Sequence, residues 1–417
     1  MEAFKISESP FKTSAEKPQV FVTGDNGPYQ NTVDALKNID LSPAKGKRVL
    51  LKPNIGRIAE PCSGICTDPQ VVAASIDVFR EAGADVYIGE SPISGVKTLE
   101  AFESTGITEI ANARNCPLID MDERKPVLIS LPEGIAIKSL KLCPEVTEFD
   151  IIVSIPVMKM HMHTGATLAV KNMKGCLWRR SKVTLHMLPP MPGASENPLE
   201  LDKPLDIAIG DMSGALKPHL SIIDGTIGLE GIGPSAGDKK EVGIVIVGAD
   251  AFSADAVACR IMGITAEEIP HLRFGAERGY GIIDMEKIDV FPSDWEKWVT
   301  PFAKPPTDLS VAFPDLNIMD VNSCSACQST LLLFLHRYKD ELKEYLPGDT
   351  NIAIGAGHGD IPLGTLCIGN CIKKQFRDRG IFISGCPPVG SEILSAVMGE
   401  PSVDVRDGHS EKGEEED

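Results

Sequence analysis

Residues 48–56 read R-V-L-L-K-P-N-I-G, an apolar run that delivers Lys52 and Asn54 into a Pro/Gly turn. A short Val/Leu-rich run of this kind predicts a strand covered on both faces, as in parallel or mixed sheets. In open α/β sheets ligands bind at strand ends, so Lys52 is a candidate to hold a carboxylate or phosphate as a point charge. An exposed turn lysine is the plainer alternative.

The same pattern recurs on either side. Val20–Thr23, Asp85–Gly89, Asp150–Ile155, Leu220–Asp224 and Gly243–Val247 read as further strands. Between them Thr32–Lys37, Pro69–Ala82, Leu99–Ala113, Leu205–Leu216, Ser253–Met262 and Ala266–Glu277 read as helices. Alternation of this kind defines an α/β domain. Pro69 behind Asp68 has the form of an N1 proline after an aspartate cap, and Gly83 that of a helix C-terminal glycine.

Five prolines between Phe291 and Pro314 interrupt the pattern, which marks a boundary. Beyond it Leu316–Val321, Asn351–Gly355 and Gly380–Ser384 read as strands, and Thr330–Tyr345 and Gly390–Met398 as helices. The expected organisation is an α/β domain over 1–290 with a mixed or parallel sheet, and a Pro-rich linker over 291–314. A smaller α/β module follows over 315–400, then a disordered acidic tail over 401–417.

The 417 residues carry 41 Lys and Arg against 59 Asp and Glu, a net charge of −18. That balance opposes nonspecific binding to nucleic acid or anionic membrane. No signal-peptide core and no run of ~20 apolar residues is present, so a cytoplasmic location is expected. In a reducing compartment the eleven cysteines read as thiols or metal ligands rather than disulfides. Walker, dinucleotide-glycine, serine-elbow and zincin motifs are absent.

Polar residues concentrate in three further segments. Ile155–Gly175 packs Lys159, His161, His163, Lys171, Asn172 and Lys174 behind a strand. Three lysines there, in an acidic protein, predict a local anion site. His161 and His163 could ligate a metal or act as acid/base, although loop histidines with ordinary partners are commoner. Ile222–Gly237 repeats glycine after Asp224 and reads as backbone able to wrap a ligand, or as a flexible loop. Asp224 is a candidate to orient a histidine or bind a cation. In Gly248–Ala258, Asp250 and Asp255 flank a helix start and read as caps.

Together these motifs resemble the family known as domain of unknown function 362. The resemblance rests on Lys52–Asn54, Thr67–Pro69, Lys159–Gly175, Asp224–Gly237 and Asp250–Ala258, and covers roughly residues 45–285. It implies association with iron–sulfur modules and no particular reaction. Cys62 and Cys66, flanking the T-D-P turn, read as loop or core thiols, with a second metal site as the alternative.

Five cysteines fall between Cys324 and Cys386: C-x2-C at Cys324 and Cys327, C-x3-C at Cys367 and Cys371, and Cys386 in G-C-P-P. Thiolates in fours suit zinc or iron–sulfur clusters. The 39 residues between Cys327 and Cys367 describe loops converging on a sheet edge, which favours iron–sulfur. The segments D-V-N-S-C-S-A-C-Q-S-T-L, I-G-N-C and I-S-G-C-P-P-V-G-S-E-I-L resemble the small subunits of nickel–iron hydrogenases and their relatives in respiratory complex I. That resemblance implies a flavodoxin-like fold and one 4Fe–4S cluster on Cys324, Cys327, Cys371 and Cys386. Cys367 stays open as the third ligand.

The expected function is a cytoplasmic iron–sulfur redox protein that binds one small anionic ligand. Lys52, Lys171 and Lys174 position the anion, Asn54 and Asn172 hydrogen-bond it, and His161 or His163 handles protons. A redox partner protein follows from this reading, and a homo-oligomer is left open. The alternatives are a non-redox metal-dependent lyase, isomerase or hydrolase, and a carrier that delivers a cluster or metal.

Overall fold

Val49 and Leu51 of the R-V-L-L-K-P run face one hydrophobic core while Leu50 faces another, the alternation of a strand covered on both sides. The computed structural model describes residues 2–12, 15–188, 203–305, 313, 316–345, 350–388 and 390–399. The acidic tail 401–417 and much of the second half of the Pro-rich stretch lie outside these residues. The chain divides into two units, Met1–Pro306 and Thr307–Asp417.

In the first unit β1 spans Glu2–Ala3, β2 Gln19–Gly24, β3 Arg48–Pro53, β4 Asp85–Glu90, β5 Leu118–Asp120, β6 Val127–Ser130 and β7 Ser139–Leu142. There follow β8 (Ile151–Ile155), β9 (Val157–His161), β10 (Gly165–Thr167), β11 (Leu220–Glu230), β12 (Asp238–Gly248) and β13 (Asp289–Phe291). The main sheet runs β13-β2-β12-β11-β8-β3-β4-β5, with β9 beside β11 and β10 beside β9. It is mixed, as expected. β11, β8, β3, β4 and β5 are parallel, whereas β12 is antiparallel to both β11 and β2. β1, β6 and β7 form a separate small sheet.

The parallel strands need crossovers, which the helices Pro69–Glu81 and Thr98–Ser104 with Ile107–Ala113 supply. Asp68 caps the first of these through the Gln70 N–H at 2.8 Å, with Pro69 in its first turn. The single helix expected over Leu99–Ala113 is two, because Gly106 takes a φ of +77° between them. Phe79 and Phe102, both fully buried, anchor these helices on the sheet, each contributing about 1.5–3 kcal/mol by burial.

The first part of the glycine-rich segment after Asp224, to Glu230, is strand rather than loop: it lies in β11, paired with β12 from Ser221↔Gly248 to Glu230↔Asp238. Residues 231–237 form the turn between these strands. The glycines of β11 permit close packing: a Cβ on Gly228 would lie 2.6 Å from the Phe302 ring and 2.8 Å from the Met158 carbonyl oxygen. The proline-rich residues that begin the expected linker pack on this unit. β13 pairs with β2, and buried Phe302 joins its core.

The second unit is a parallel sheet of β14 (Asn317–Asp320), β15 (Asn351–Ile354), β16 (Leu366–Ile368) and β17 (Phe382–Ile383), in that order. The helix Ser325–Tyr345 crosses from β14 to β15, and Gly390–Met398 follows β17. The flavodoxin-like order implied by resemblance would place the first strand inside the second; here the described strands run in chain order. Among the described residues no helix is long and apolar enough to cross a membrane.

One carboxylate links distant parts of the first unit. Asp250 caps the helix Ala251–Ile261 as expected, accepting from Ser253 N at 2.8 Å. Asp255 does not cap its own helix. It accepts the N–H groups of Ala169 and Val170 at 2.7 and 2.9 Å, the start of the short helix Ala169–Asn172. Burial pushes its carboxyl up to about 8 despite both donors. Removing it strands two buried N–H groups at about 1–3 kcal/mol each. Asp255→Ala is therefore expected to lower the stability of this unit by at least about 2 kcal/mol in urea denaturation, and Asp255→Asn by clearly less.

Candidate functional site

The ends of β3, β4 and β8 meet at one sheet edge, and an internal polar network ties them together. Lys52 is 1% exposed and Glu90, at the end of the neighbouring strand, 2%. Lys52 Nζ donates to Glu90 at 2.9 Å, to the Pro53 carbonyl at 3.0 Å and to Asn172 Oδ1 at 3.2 Å. Glu90 also accepts from Ile55 N and Ser91 N at 3.0 and 2.9 Å. Asn172 donates to the Lys52 carbonyl and Ser154 Oγ, and Asn54 Nδ2 donates to Asn172 Oδ1 at 3.0 Å. Lys159 closes the chain, donating to Asn54 Oδ1 and the Ile65 carbonyl, both at 2.8 Å.

The donors of Lys52 are thus taken up by the protein itself. It is a keystone of the fold here, neither an exposed turn lysine nor an open anion contact. Gly175 makes the arrangement possible. A Cβ there would lie 2.5 Å from Glu90 Oε1 and from Lys52 Nζ.

Asp224 is also internal. It accepts from Asp68 N at 2.7 Å and Thr226 N at 2.9 Å, so it pins the T-D-P turn and orients no histidine. Burial, with Asp68 nearby, pushes its carboxyl up to about 6. Cys62 bonds Asp68 and Cys66 the Arg57 carbonyl.

Beside this network stand cations without counter-charges. Among the described residues Lys171 Nζ reaches only Thr167 Oγ1, at 3.4 Å. Lys174 meets His186 Nε2. Neither these lysines nor Arg57 forms an ion pair with a carboxylate among the described residues. Lys171 and Lys174 are deeply surrounded by protein yet keep part of their surface open, which describes a recess. Burial, then Lys159, pushes Lys171 down to about 7, while Asp206 opposes this. Burial alone accounts for most of the fall of Lys159 to about 8. Lys174 is held well below its usual range by burial, then by Lys171 and Lys182.

The histidines join this recess. His163 N donates to His161 Nδ1 at 3.1 Å, which leaves the His161 proton on Nε2. Burial, then Lys171, holds His161 well below the ordinary histidine range. It is a neutral N–H donor. His163 lies against both His161 and His186, with ring centroids 5.8 and 6.3 Å apart. No group of three His, Cys, Asp or Glu side chains able to hold a metal ion occurs among the described residues.

Sequence reasoning placed Lys171, Lys174, His161 and His163 in this region. It missed Glu90, Arg57, His186 and Lys182, which bonds Ser91 Oγ. Glu90 carried a readable signal, since it ends a strand parallel to β3. His186 carried none.

In the second unit the thiols of Cys324, Cys371 and Cys386 lie close enough to Cys327 to disfavour its ionisation; its partner Cys324 raises it most, then burial. Cys324, at the start of the helix Ser325–Tyr345, is pulled down to about 6, first by Cys327 and also by backbone N–H donors. Cys371 is exposed and feels Cys386 and Cys324. Cys367 instead faces the core among Ile361, Ile372 and Phe376. Gly369, at a φ of +97°, would place a Cβ 3.3 Å from Cys327 Sγ. Asn370 staples the two cysteine loops, donating its N–H to the Gly385 carbonyl at 2.9 Å and accepting Gly385 N at 3.0 Å.

The first unit is a mixed α/β protein with a group of partly buried cations at the carboxyl edge of its parallel strands. The chain belongs to the family described as domain of unknown function (DUF362), which matches residues 49–260, just over half its length. It is 30% identical over 229 residues to a thylakoid-associated protein of Synechocystis sp., covering 54% of this chain and 66% of that protein. The chain thus spans just under two thirds of that relative.

Among solved structures, lactate racemase apoprotein from Thermoanaerobacterium thermosaccharolyticum aligns at a TM-score of 0.40 and 16% identity, over 64% of this chain and 62% of that one. A Thermotoga maritima protein aligns at 0.30 and 15%, over 47% and 49%. A TM-score below 0.5 establishes neither a shared fold nor a shared reaction.

Breaking the keystone pair leaves a buried charge unpaired, at about 3–5 kcal/mol. Lys52→Met is expected to destabilise the first unit by that amount in urea denaturation, and Lys52→Met with Glu90→Gln by distinctly less.

Proposed function

We propose that this chain is an iron–sulfur redox protein with two tasks. The first unit binds a small anion in the recess of Lys171, Lys174 and Arg57. The second holds one 4Fe–4S cluster on Cys324, Cys327, Cys371 and Cys386.

The observation that carries the anion site is a group of partly buried cationic side chains with no carboxylate partner among the described residues. Lysines and an arginine surrounded by protein without carboxylate partners are costly, and an anion removes that cost. Neutral His161 offers an N–H to the same ligand. Asn54, Asn172 and Asp224 support the wall rather than touch the anion.

The cluster reading is supported by the chemistry of the donor set and by the clearance at Gly369. A four-iron cluster takes one thiolate per iron, so its cysteines surround it instead of converging on a single ion. Such a cluster supplies one electron at a time. The chain's own part is to hold Cys324 ready as a thiolate and to keep the loops of Cys371 and Cys386 stapled through Asn370.

Sulfate tests the anion site, because its charge is constant near neutral pH. An anion favours the ammonium forms of Lys171 and Lys159, whose folded pKa values of about 7 and 8 are depressed. The empty fold loses stability as pH falls from the ordinary lysine value of 10.5 down to these values, and an anion that binds the charged forms offsets this loss. Sulfate is expected to raise the unfolding temperature more at pH 6 than at pH 9, and Lys174→Ala to remove most of the gain. A gain that is equal at both pH values, or untouched by Lys174→Ala, overturns the site.

Iron content of anaerobically purified protein tests the cluster. Cys371→Ser and Cys386→Ser are expected to lose most of it and Cys367→Ser to keep it. Protein that stays iron-free after reconstitution refutes the reading.

A further inference from the structure

We infer that Lys171 is a covalent site: its amine condenses with the carbonyl of a small anionic aldehyde or keto acid in the recess, and Asp206 and His271 move the protons. This rests on the anion site proposed above and adds the chemistry done there.

Three independent features point to it. Lys171 has no carboxylate within ion-pair distance among the described residues, and its one hydrogen bond, to Thr167 Oγ1, is long at 3.4 Å. Its backbone is rigid, since the helix Ala169–Asn172 is held at its start by Asp255 and at its end by the Lys52–Asn172 contact. Near it lie two orphaned groups. Asp206 Oδ1 and His271 Nδ1, on residues 2% and 1% exposed, have no hydrogen-bond partner among the described residues. They face each other across 3.8 Å, too far for a hydrogen bond.

Buried orphans of this kind are costly unless something visits them. Asp206 opens the helix Pro204–Ser213 and His271 lies in Pro270–Glu277. Both are close enough to Lys171 for charge to be felt. Asp206 stabilises the Lys171 ammonium. Burial above all disfavours a charge on His271, Asp206 opposes this, and the Lys171 ammonium adds to it. Burial beside other cations makes a lysine a nucleophile near neutral pH. Arg57 and Lys159 face Lys171 from the loop after β3 and from β9, and Lys171 in turn acts on His161, Lys174 and His186.

The reaction balances without an oxidant. The free Lys171 amine attacks the carbonyl carbon, the C=O π pair moves to oxygen, and that oxygen takes a proton to give a carbinolamine. A second proton lets the C–O bond break, and water leaves an imine. Amine plus carbonyl thus gives imine plus water. The dyad supplies and recovers the protons, while Lys174 and Arg57 hold the anionic end.

Glyoxylate, the smallest anionic aldehyde, tests this on the full-length protein, with borohydride to fix any imine and peptide mass mapping to find it. Modification is expected at Lys171 above all other lysines, and sulfate is expected to suppress it. Lys171→Arg keeps a charge that does not titrate in this range, so it is expected to lose the label and to bind sulfate with a weaker dependence on pH. Asp206→Asn removes the stabiliser of the ammonium and is expected to move the pH–rate midpoint of imine formation to lower pH. Sulfate binding with labelling spread over surface lysines overturns this inference and leaves the anion site standing. Loss of sulfate binding itself overturns both. An Asp206→Asn profile that coincides with wild type removes the dyad's role.

Discussion

The contact between Lys52 and Glu90 constrains everything around it. Two charges withdrawn from water are tolerated only when every donor and lone pair is engaged, and here they are. Glu90 receives two backbone N–H groups besides the lysine, and Lys52 reaches Asn172 and the Pro53 carbonyl. These demands fix the ends of β3 and β4 relative to each other. They also fix the loop that carries Asn172, hence where Lys171 and Lys174 stand. Gly175 belongs to the same constraint, because no larger residue clears the pair.

The parallel strands were legible because Val/Leu runs closed by polar residues have few other readings. The role of Lys52 was not, since a strand-end lysine looks the same whether it meets a ligand or a carboxylate from another strand. Only the pairing of β3 with β4 brings Glu90 to it. Asp255 misled for a related reason: its position in its own helix suited a cap, whereas its partners lie 85 and 86 residues away. The repeated glycines after Asp224 resembled a loop because glycine signals backbone freedom and close packing alike. Contacts with Met158 and Phe302 decide for packing.

The cysteines of the second unit show the opposite case. Spacing identified the group, and the end of β16 at Ile368 separates its members. Cys367 lies in β16 with its sulfur toward the core, while Cys371 lies past Gly369 in the loop that meets Gly385. Four residues in sequence become two opposite environments, one apolar and closed, the other shared with Cys324 and Cys386.

The direct continuation of β8 through Pro156 into β9, paired with β11, has a thermodynamic consequence. Lys159 and His161 sit on a strand, and Lys171 on a helix fastened at both ends, so the anion proposed to bind there would find its partners already ordered. Association then sacrifices little chain entropy. Under that proposal the site would select by size, since it could not relax around a larger molecule without breaking the polar contacts that shape it.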